Sequence, residues 1–205
     1  MIEYKDAQKL FIEYAGKFKG DQELQNEFLD AINKILRLYD TKFYENRFIV
    51  GGVIEFIVLA SFKALNYDAI HVGKITDRFD LKIDYETKEI FYSVKSVFTK
   101  SSDLRVINVL GKSSQTKWEA PTICLLPKLG IGYCDKTLID EKSIVRKEDA
   151  ILINRKELEQ FFEKHPKFLI SLNLPYKNEI KSESARLASE DVVIRLLKDY
   201  KKLKL

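Results

Sequence analysis

A carboxylate in an apolar segment and a group of polar side chains downstream are the features of this 205-residue sequence that could do chemistry. Glu55 is the only charged residue among the fifteen from Phe48 to Phe62. Such a carboxylate is costly to bury unless a cation, a metal ion or hydrogen bonds receive it. Glu55 therefore either lies on a helix surface at a gap in the packing or points into a polar site, which would make it a candidate catalytic residue.

A predicted β-hairpin supplies further polar side chains for such a site. Apolar and polar residues alternate over 79–97, apart from a polar link at Glu86–Glu89, which is typical of two paired strands. This link would place Asp80 opposite Lys95. As an alternative to a functional site, these residues form a solvent-exposed outer face, on which the Asp–Lys pair contributes roughly 0.2–1 kcal/mol to stability. Because alternate side chains of a strand point the same way, the polar face of the predicted hairpin comprises Asp80, Lys82, Asp84, Ser93 and Lys95.

The order of these residues resembles the PD-(D/E)xK nuclease superfamily, which includes type II restriction endonucleases and archaeal Holliday-junction resolvases. Glu55 follows a glycine pair in a predicted helix, Asp80 comes about 25 residues later, and Ser93-Val94-Lys95 lies on the partner strand. The resemblance covers about residues 46–97. Phe79 stands at the position of the motif's proline, and Ser93 stands at that of its second acidic residue.

The resemblance implies a metal-dependent hydrolase of phosphodiester bonds. In that family, the residues at the positions of Asp80 and Ser93 and the carbonyl at that of Val94 hold Mg²⁺, and the helix Glu supports a metal or water. In this chain Asp80, Glu55 and the Val94 carbonyl would provide the oxygens for Mg²⁺, with Mn²⁺ as a substitute, and Lys95 would orient or activate the attacking water. The implied catalytic set is Glu55, Asp80, Ser93 and Lys95. A hydroxyl at Ser93 is a poorer ligand than a carboxylate for a hard divalent cation, so a one-metal site is easier to build than a two-metal site.

The function implied is that of a Mg²⁺-dependent DNA endonuclease resembling type II restriction enzymes. We expect a homodimer, because cutting both strands at a symmetric site needs two active centres. Two alternatives stay open. One is a structure-selective nuclease for Holliday-type junctions, of archaeal or viral origin, and the other is a DNA-binding protein on the same fold in which Ser93 marks lost catalysis.

Positive charge is concentrated directly after the predicted hairpin. The segment Lys95–Lys117 has an excess of four positive charges, which equals the net charge of the entire chain, and it is rich in Ser and Thr. Cationic and hydroxyl side chains suit contacts with DNA phosphates and groove edges, whereas the alternative is a flexible solvated loop. The predicted DNA-binding residues are Lys82, Ser96, Lys100, Arg105, Lys112 and Lys117.

The elements that must position these residues are visible in the hydrophobic pattern. Helical spacing predicts a first helix that ends at Gly20, a second that Asp21 caps, and a third that runs from Gly51-Gly52 to about Leu65 and lies in the core. Alternation or short apolar runs predict strands at 69–72, 79–85, 90–97, 122–126, 131–134 and 151–153, and further helices at 156–164 and 184–203.

These elements predict an α/β fold, and the resemblance narrows it to a restriction endonuclease-like central mixed sheet flanked by helices, with a helical N-terminal third. With no repeat or low-complexity linker, residues 1–205 form one predicted nuclease-like domain. Its expected parts are N-terminal helices over 1–50, a catalytic core over 51–135, and C-terminal strands and helices over 136–205 for recognition or dimerisation.

Scarce cysteine and histidine exclude several other chemistries. Two Cys and two His do not provide the ligand spacing of a zinc site. The pattern around Gly111-Lys112-Ser113 lacks the upstream glycine of a phosphate loop, so no nucleotide cofactor is expected. The sequence has no recognisable secretory signal and no apolar run long enough to span a membrane, which predicts an intracellular, cytoplasmic protein.

Overall fold

The computed structural model describes residues 4–41, 44–73, 78–99, 102–108, 117–148 and 150–176. Its first two helices are α1, Tyr4–Gly20, and α2, Gln22–Leu38. Each buries a stripe of apolar side chains, which is why helical spacing predicted both. Asp21 caps α2 as predicted, because its Oδ1 accepts a hydrogen bond of 2.9 Å from the Leu24 amide.

Helix α3 spans Tyr44–Ala64 and departs from the prediction in two ways. It begins seven residues before Gly51, because a buried stripe that starts at Val50 and continues through Ile54 outweighs the cost of two glycines in a helix. It is also not fully buried. The side chains of Phe48 and Phe56 are 57% and 53% exposed, so the prediction that the whole helix lies in the core is wrong.

The described residues form nine strands: β1 Asp68–His71, β2 Leu81–Tyr85, β3 Lys88–Ser96, β4 Leu104–Asn108, β5 Thr122–Leu126, β6 Gly130–Cys134, β7 Ile144–Arg146, β8 Ala150–Ile153 and β9 Leu169–Ser171. Six of these strands belong to one sheet whose order is β1-β2-β3-β5-β6-β9. All its pairings are antiparallel except that of β3 with β5. The α/β class with a mixed central sheet is therefore confirmed.

The hairpin of β2 and β3 forms as predicted but with a different register. A two-residue turn at Glu86-Thr87 pairs Tyr85 with Lys88, whereas the predicted four-residue link would pair Tyr85 with Ile90. Glu86 makes the shorter turn possible by adopting a positive φ of 55°. The predicted opposition of Asp80 and Lys95 is therefore wrong. The shift is by two residues, so every side chain keeps its predicted face of the sheet.

A second, three-stranded sheet has the order β4-β8-β7. Strand β4 lies in the segment 98–120, whose Ser-, Thr- and Lys-rich sequence predicts mostly loop apart from a short apolar piece at 106–110. It forms because Leu104, Val106 and Ile107 are buried where it pairs with β8. The predicted helix near 156–164 is α4, Arg155–Lys164. The predicted helix at 184–203 lies outside the described residues.

Helices cover both faces of the larger sheet. On one face the Tyr92 hydroxyl donates a 2.7 Å hydrogen bond to the Ala7 carbonyl of α1. On the other, the Phe162 ring of α4 comes so close to Gly132 that a Cβ there would lie 2.3 Å from it. Buried apolar side chains form one cluster from Ala7 to Leu174. The division of the chain at 50/51 and 135/136 stays a prediction, and no helix in the described ranges is long and apolar enough to cross a membrane.

Candidate active site

The candidate site lies where β2 and β3 stop pairing. Their last paired residues are Leu81 and Tyr92, and the Asp80 amide adds one more hydrogen bond, to the Tyr92 carbonyl at 2.9 Å. Beyond this point the Val94 amide donates to Oδ2 of Asp80 at 2.6 Å. A side-chain carboxylate thus receives an amide of β3 just past the last backbone pair, which fixes Asp80 at the diverging end of the hairpin.

The Asp80 carboxylate brings the predicted motif together. Its Oδ2 accepts a hydrogen bond of 3.0 Å from the Ser93 hydroxyl and lies 3.5 Å from Nζ of Lys95. The Asp80 and Lys95 side chains are 17% and 29% exposed, so the pair is shielded and yet reachable from solvent. Three of the four predicted catalytic residues therefore meet, even though their predicted register is wrong.

Glu55, the fourth predicted residue, approaches from α3 and contacts a histidine. Its Oε2 lies 2.8 Å from Nε2 of His71, the last residue of β1, so one proton is shared between these two atoms. The imidazole ring also stacks on Phe56, with ring centroids 4.5 Å apart. Sequence reasoning missed His71. The signal available was its place at the end of the predicted strand that directly follows the helix of Glu55.

Glu55 interacts electrostatically with Asp80, His71 and Lys95. Partial burial raises the pKa of Glu55 above its usual range, and the charge of Asp80 raises it further. The hydrogen bond with His71 and the positive charge of Lys95 act in the opposite direction. Glu55 therefore feels the charges of both Asp80 and Lys95, and the compensation of its own charge is incomplete.

The donor set can be tested against the metal ion that the resemblance implies. Within the described ranges, no three side chains of His, Cys, Asp or Glu cluster closely enough to hold a metal ion by themselves. The Val94 carbonyl supplies a further oxygen, because the N–H and C=O of a strand residue face the same side and its N–H faces Asp80. Glu55, Asp80 and the Val94 carbonyl are thus oxygen donors of the kind that a hard divalent cation takes, and water would be needed to complete its coordination.

The predicted DNA-binding residues are dispersed. Lys82 lies between Glu89 and Asp84, with N–O distances of 2.8 and 3.3 Å. Ser96 and Arg105 both line a cleft of about 550 Å³, called the basic groove here, which Arg47, Thr99 and Lys147 also line. Lys117 is exposed, and Lys100 and Lys112 lie outside the described residues.

Comparisons of the chain with protein-family models, with curated proteins and with solved structures find no match.

Proposed function

We propose that the chain is a Mg²⁺-dependent DNA endonuclease that hydrolyses phosphodiester bonds, resembling type II restriction endonucleases, with Mn²⁺ as an alternative cation. The observation that carries the proposal is the convergence of Ser93, the Val94 amide and Lys95 on the Asp80 carboxylate. Glu55 adds a second carboxylate with a raised pKa, a perturbation that is frequent at functional sites.

In this proposal each side chain has a separate task. The Val94 amide and the Ser93 hydroxyl hold Asp80 in one orientation, and Asp80 and Glu55 supply negatively charged oxygens. Lys95 orients the attacking water and stabilises the charge that develops on the phosphoryl oxygens. A bond forms from the water oxygen to phosphorus, the P–O ester bond breaks, and the departing oxygen takes a proton. A divalent cation bound at these oxygens supplies charge neutralisation and lowers the pKa of a water ligand.

Substitution of the central residues tests the proposal. We expect Asp80→Asn and Lys95→Ala each to lower cleavage of DNA in Mg²⁺ by at least about 1,000-fold. The first removes a negatively charged oxygen that would hold the cation, and the second removes the positive charge that stabilises the reacting phosphate. Asp84→Asn is the matched control, since Asp84 is a half-exposed residue four positions after Asp80 on the same hairpin face. Circular dichroism and thermal melts must show that each variant is folded. Full activity of a folded Asp80→Asn protein would refute the proposal.

The same assay distinguishes the forms of the proposed activity when both a long duplex and a synthetic four-way junction are offered. Discrete duplex fragments indicate a restriction-type enzyme, for which a homodimer is part of the proposal. Cleavage of the junction alone indicates a structure-selective nuclease. Retention of DNA without cleavage indicates the second candidate, a DNA-binding protein, which is favoured by the hydroxyl of Ser93 in the place of a carboxylate.

A further inference from the structure

The basic groove is a cleft that adjoins the candidate active site. It lies where the N-terminal half of α3, the end of β3, the start of β4 and the turn between β7 and β8 meet, and Ser96, the residue after Lys95, is part of its wall. Three cationic side chains come from three different elements: Arg47, Arg105 and Lys147. The groove therefore draws its positive charge from parts of the chain that are far apart in sequence.

The acidic residue in the wall of the groove does not cancel this charge. Among the described lining residues Asp103 alone is acidic, and its Oδ1 accepts a 3.0 Å hydrogen bond from the Arg155 amide at the start of α4. A carboxylate in that position is matched by the partial positive charge of the helix N-terminus. Hydroxyl groups from Thr41, Ser96, Thr99 and Ser102 complete the polar wall. Cations with short hydroxyl side chains suit phosphate oxygens.

A larger cavity of the structure differs from the basic groove in its charge arrangement. It has a volume of about 850 Å³ and includes Arg78, Lys88 and Lys136. Each of these cations lies near an acid: Arg78 and Lys136 are 3.9 and 3.5 Å from Glu119, and Lys88 is 2.6 Å from Asp6. Two acids, Glu89 and Glu119, line this cavity, whereas one acid lines the basic groove, so the lining of the groove has the greater excess of positive charge.

The surface of α3 offers a path from the groove to the candidate active site. Arg47 and Glu55 are eight residues apart on one side of the helix, a distance of about 12 Å along its axis. Gly51 lies between them, and a Cβ built there would meet no atom within 4 Å. A DNA strand with one phosphate per 3.4 Å of axis would place about three phosphates along this path.

We propose that the basic groove binds the backbone phosphates of one DNA strand beside the cleavage site, and that this strand passes over Gly51 on its way to Glu55. This inference rests on the proposed function for its choice of ligand. It assigns new roles to Arg47, Gly51 and Lys147 and keeps the one predicted for Arg105.

Salt-dependent binding tests the groove without cleavage. In an Asp80→Asn background, fluorescence anisotropy of a labelled duplex gives the slope of log affinity against log salt concentration. We expect Arg105→Gln with Lys147→Gln to reduce that slope by about 2, since each phosphate contact contributes about 0.9. Lys63→Gln, an exposed substitution near the other end of α3, is the matched control and should leave the slope unchanged.

Substitutions at Gly51 test whether the DNA strand passes over α3, and they remove no side-chain contact. Gly51→Glu adds a negative charge in open space, so folding should be retained, and we expect several-fold weaker DNA binding at low salt. Gly51→Gln has a similar size and no charge, and should bind like the parent. An unchanged slope for the double variant would refute the proposal that the basic groove binds DNA phosphates. Equal binding of the two Gly51 variants would refute the proposal that the strand passes over Gly51. If the wild-type chain does not cleave DNA while the groove variants still lower the slope, the proposed function fails and the groove stands.

Discussion

Two helix carboxylates, Glu13 on α1 and Glu55 on α3, have opposite environments. Glu13 accepts hydrogen bonds from the hydroxyls of Tyr67 and Tyr85, at 3.0 and 2.8 Å, and lies 2.8 Å from the ammonium of Lys17. The hydrogen bond with Lys17, followed by those of the two tyrosines, lowers the pKa of Glu13 below its usual range. Its charge is fully received by neighbours within the chain.

Glu55 has less compensation although it is more buried. Its side chain is 21% exposed against 40% for Glu13, its Oε2 lies within hydrogen-bond distance of His71, and the charge of Asp80 opposes its own. Burial and this repulsion give it a raised pKa, whereas the pKa of Glu13 is lowered. A folded chain that tolerates such a carboxylate gains no stability from its charge. The comparison therefore separates a carboxylate that stabilises the fold from one that is available to an added cation or substrate.

Removing the charge of each carboxylate should give the largest difference between the two regions, measured as the change in the rate of DNA cleavage. We expect Glu55→Gln to lower the single-turnover rate of DNA cleavage by about 100-fold, because the amide keeps the shape of the side chain and loses its charge. Glu13→Gln should change that rate by less than about 2-fold, since its contacts among the described residues are with Lys17, Tyr67 and Tyr85, none of which belongs to the candidate site. Equal losses in the two variants would mean that Glu55 has no special part in the chemistry.

Removing a hydrogen-bond partner of each carboxylate should give a smaller difference. His71→Phe keeps an aromatic ring against Phe56 and deletes the contact with Glu55, and we expect kcat to fall by about 10-fold with KM for DNA unchanged. Tyr85→Phe removes one donor from Glu13, and should cost about 1 kcal/mol of unfolding free energy with no change in kcat.

Rescue of the His71→Phe defect by a hydrogen-bonding side chain tests whether His71 is a positioning residue for Glu55. His71→Gln can still donate a hydrogen bond to the carboxylate, so it should recover most of the rate that His71→Phe loses. If His71→Gln is as slow as His71→Phe while both melt like the wild type, then the hydrogen bond does not position Glu55.

Much of the fold follows from local patterns. The stripe of α1, the Asp21 cap of α2 and the apolar run of β5 are each encoded by neighbouring residues, and each was predicted. The start of α3 was not, because Gly51 and Gly52 suggest a helix boundary and only the packing of Val50 and Ile54 keeps the helix intact. Strand β4 was missed for the same reason, since its partner β8 lies more than forty residues later.

The candidate site shows which errors matter. The turn at Glu86 lacks glycine, so the sequence favoured a longer link, yet the resulting error of two residues preserves the faces of both strands and Asp80 still meets Lys95. An error of one residue would have separated them. His71 was missed because a single histidine at a strand end has no spacing pattern, and its contact with Glu55 depends on how α3 packs against β1.

The pH dependence of stability should give the smallest effect, with opposite signs in the two regions. Glu13 has a depressed pKa, so its ionised form stabilises the fold above its unfolded pKa of about 4.3, and this contribution is lost as the pH falls through the folded pKa. Glu55 has a raised pKa, so its ionisation destabilises the fold increasingly as the pH rises from about 4.3 through its folded pKa.

Urea unfolding between pH 3 and pH 7, with a chelator present, measures both contributions. Glu13→Gln should be less stable than the wild type at pH 7 by under about 1 kcal/mol, because solvent screens this partly exposed carboxylate, and the deficit should shrink toward pH 3. Glu55→Gln should be more stable at pH 7, and its advantage should shrink in the same direction. If the Glu55→Gln protein is instead less stable at pH 7, the carboxylate is compensated within the chain, and the contrast between the two regions disappears.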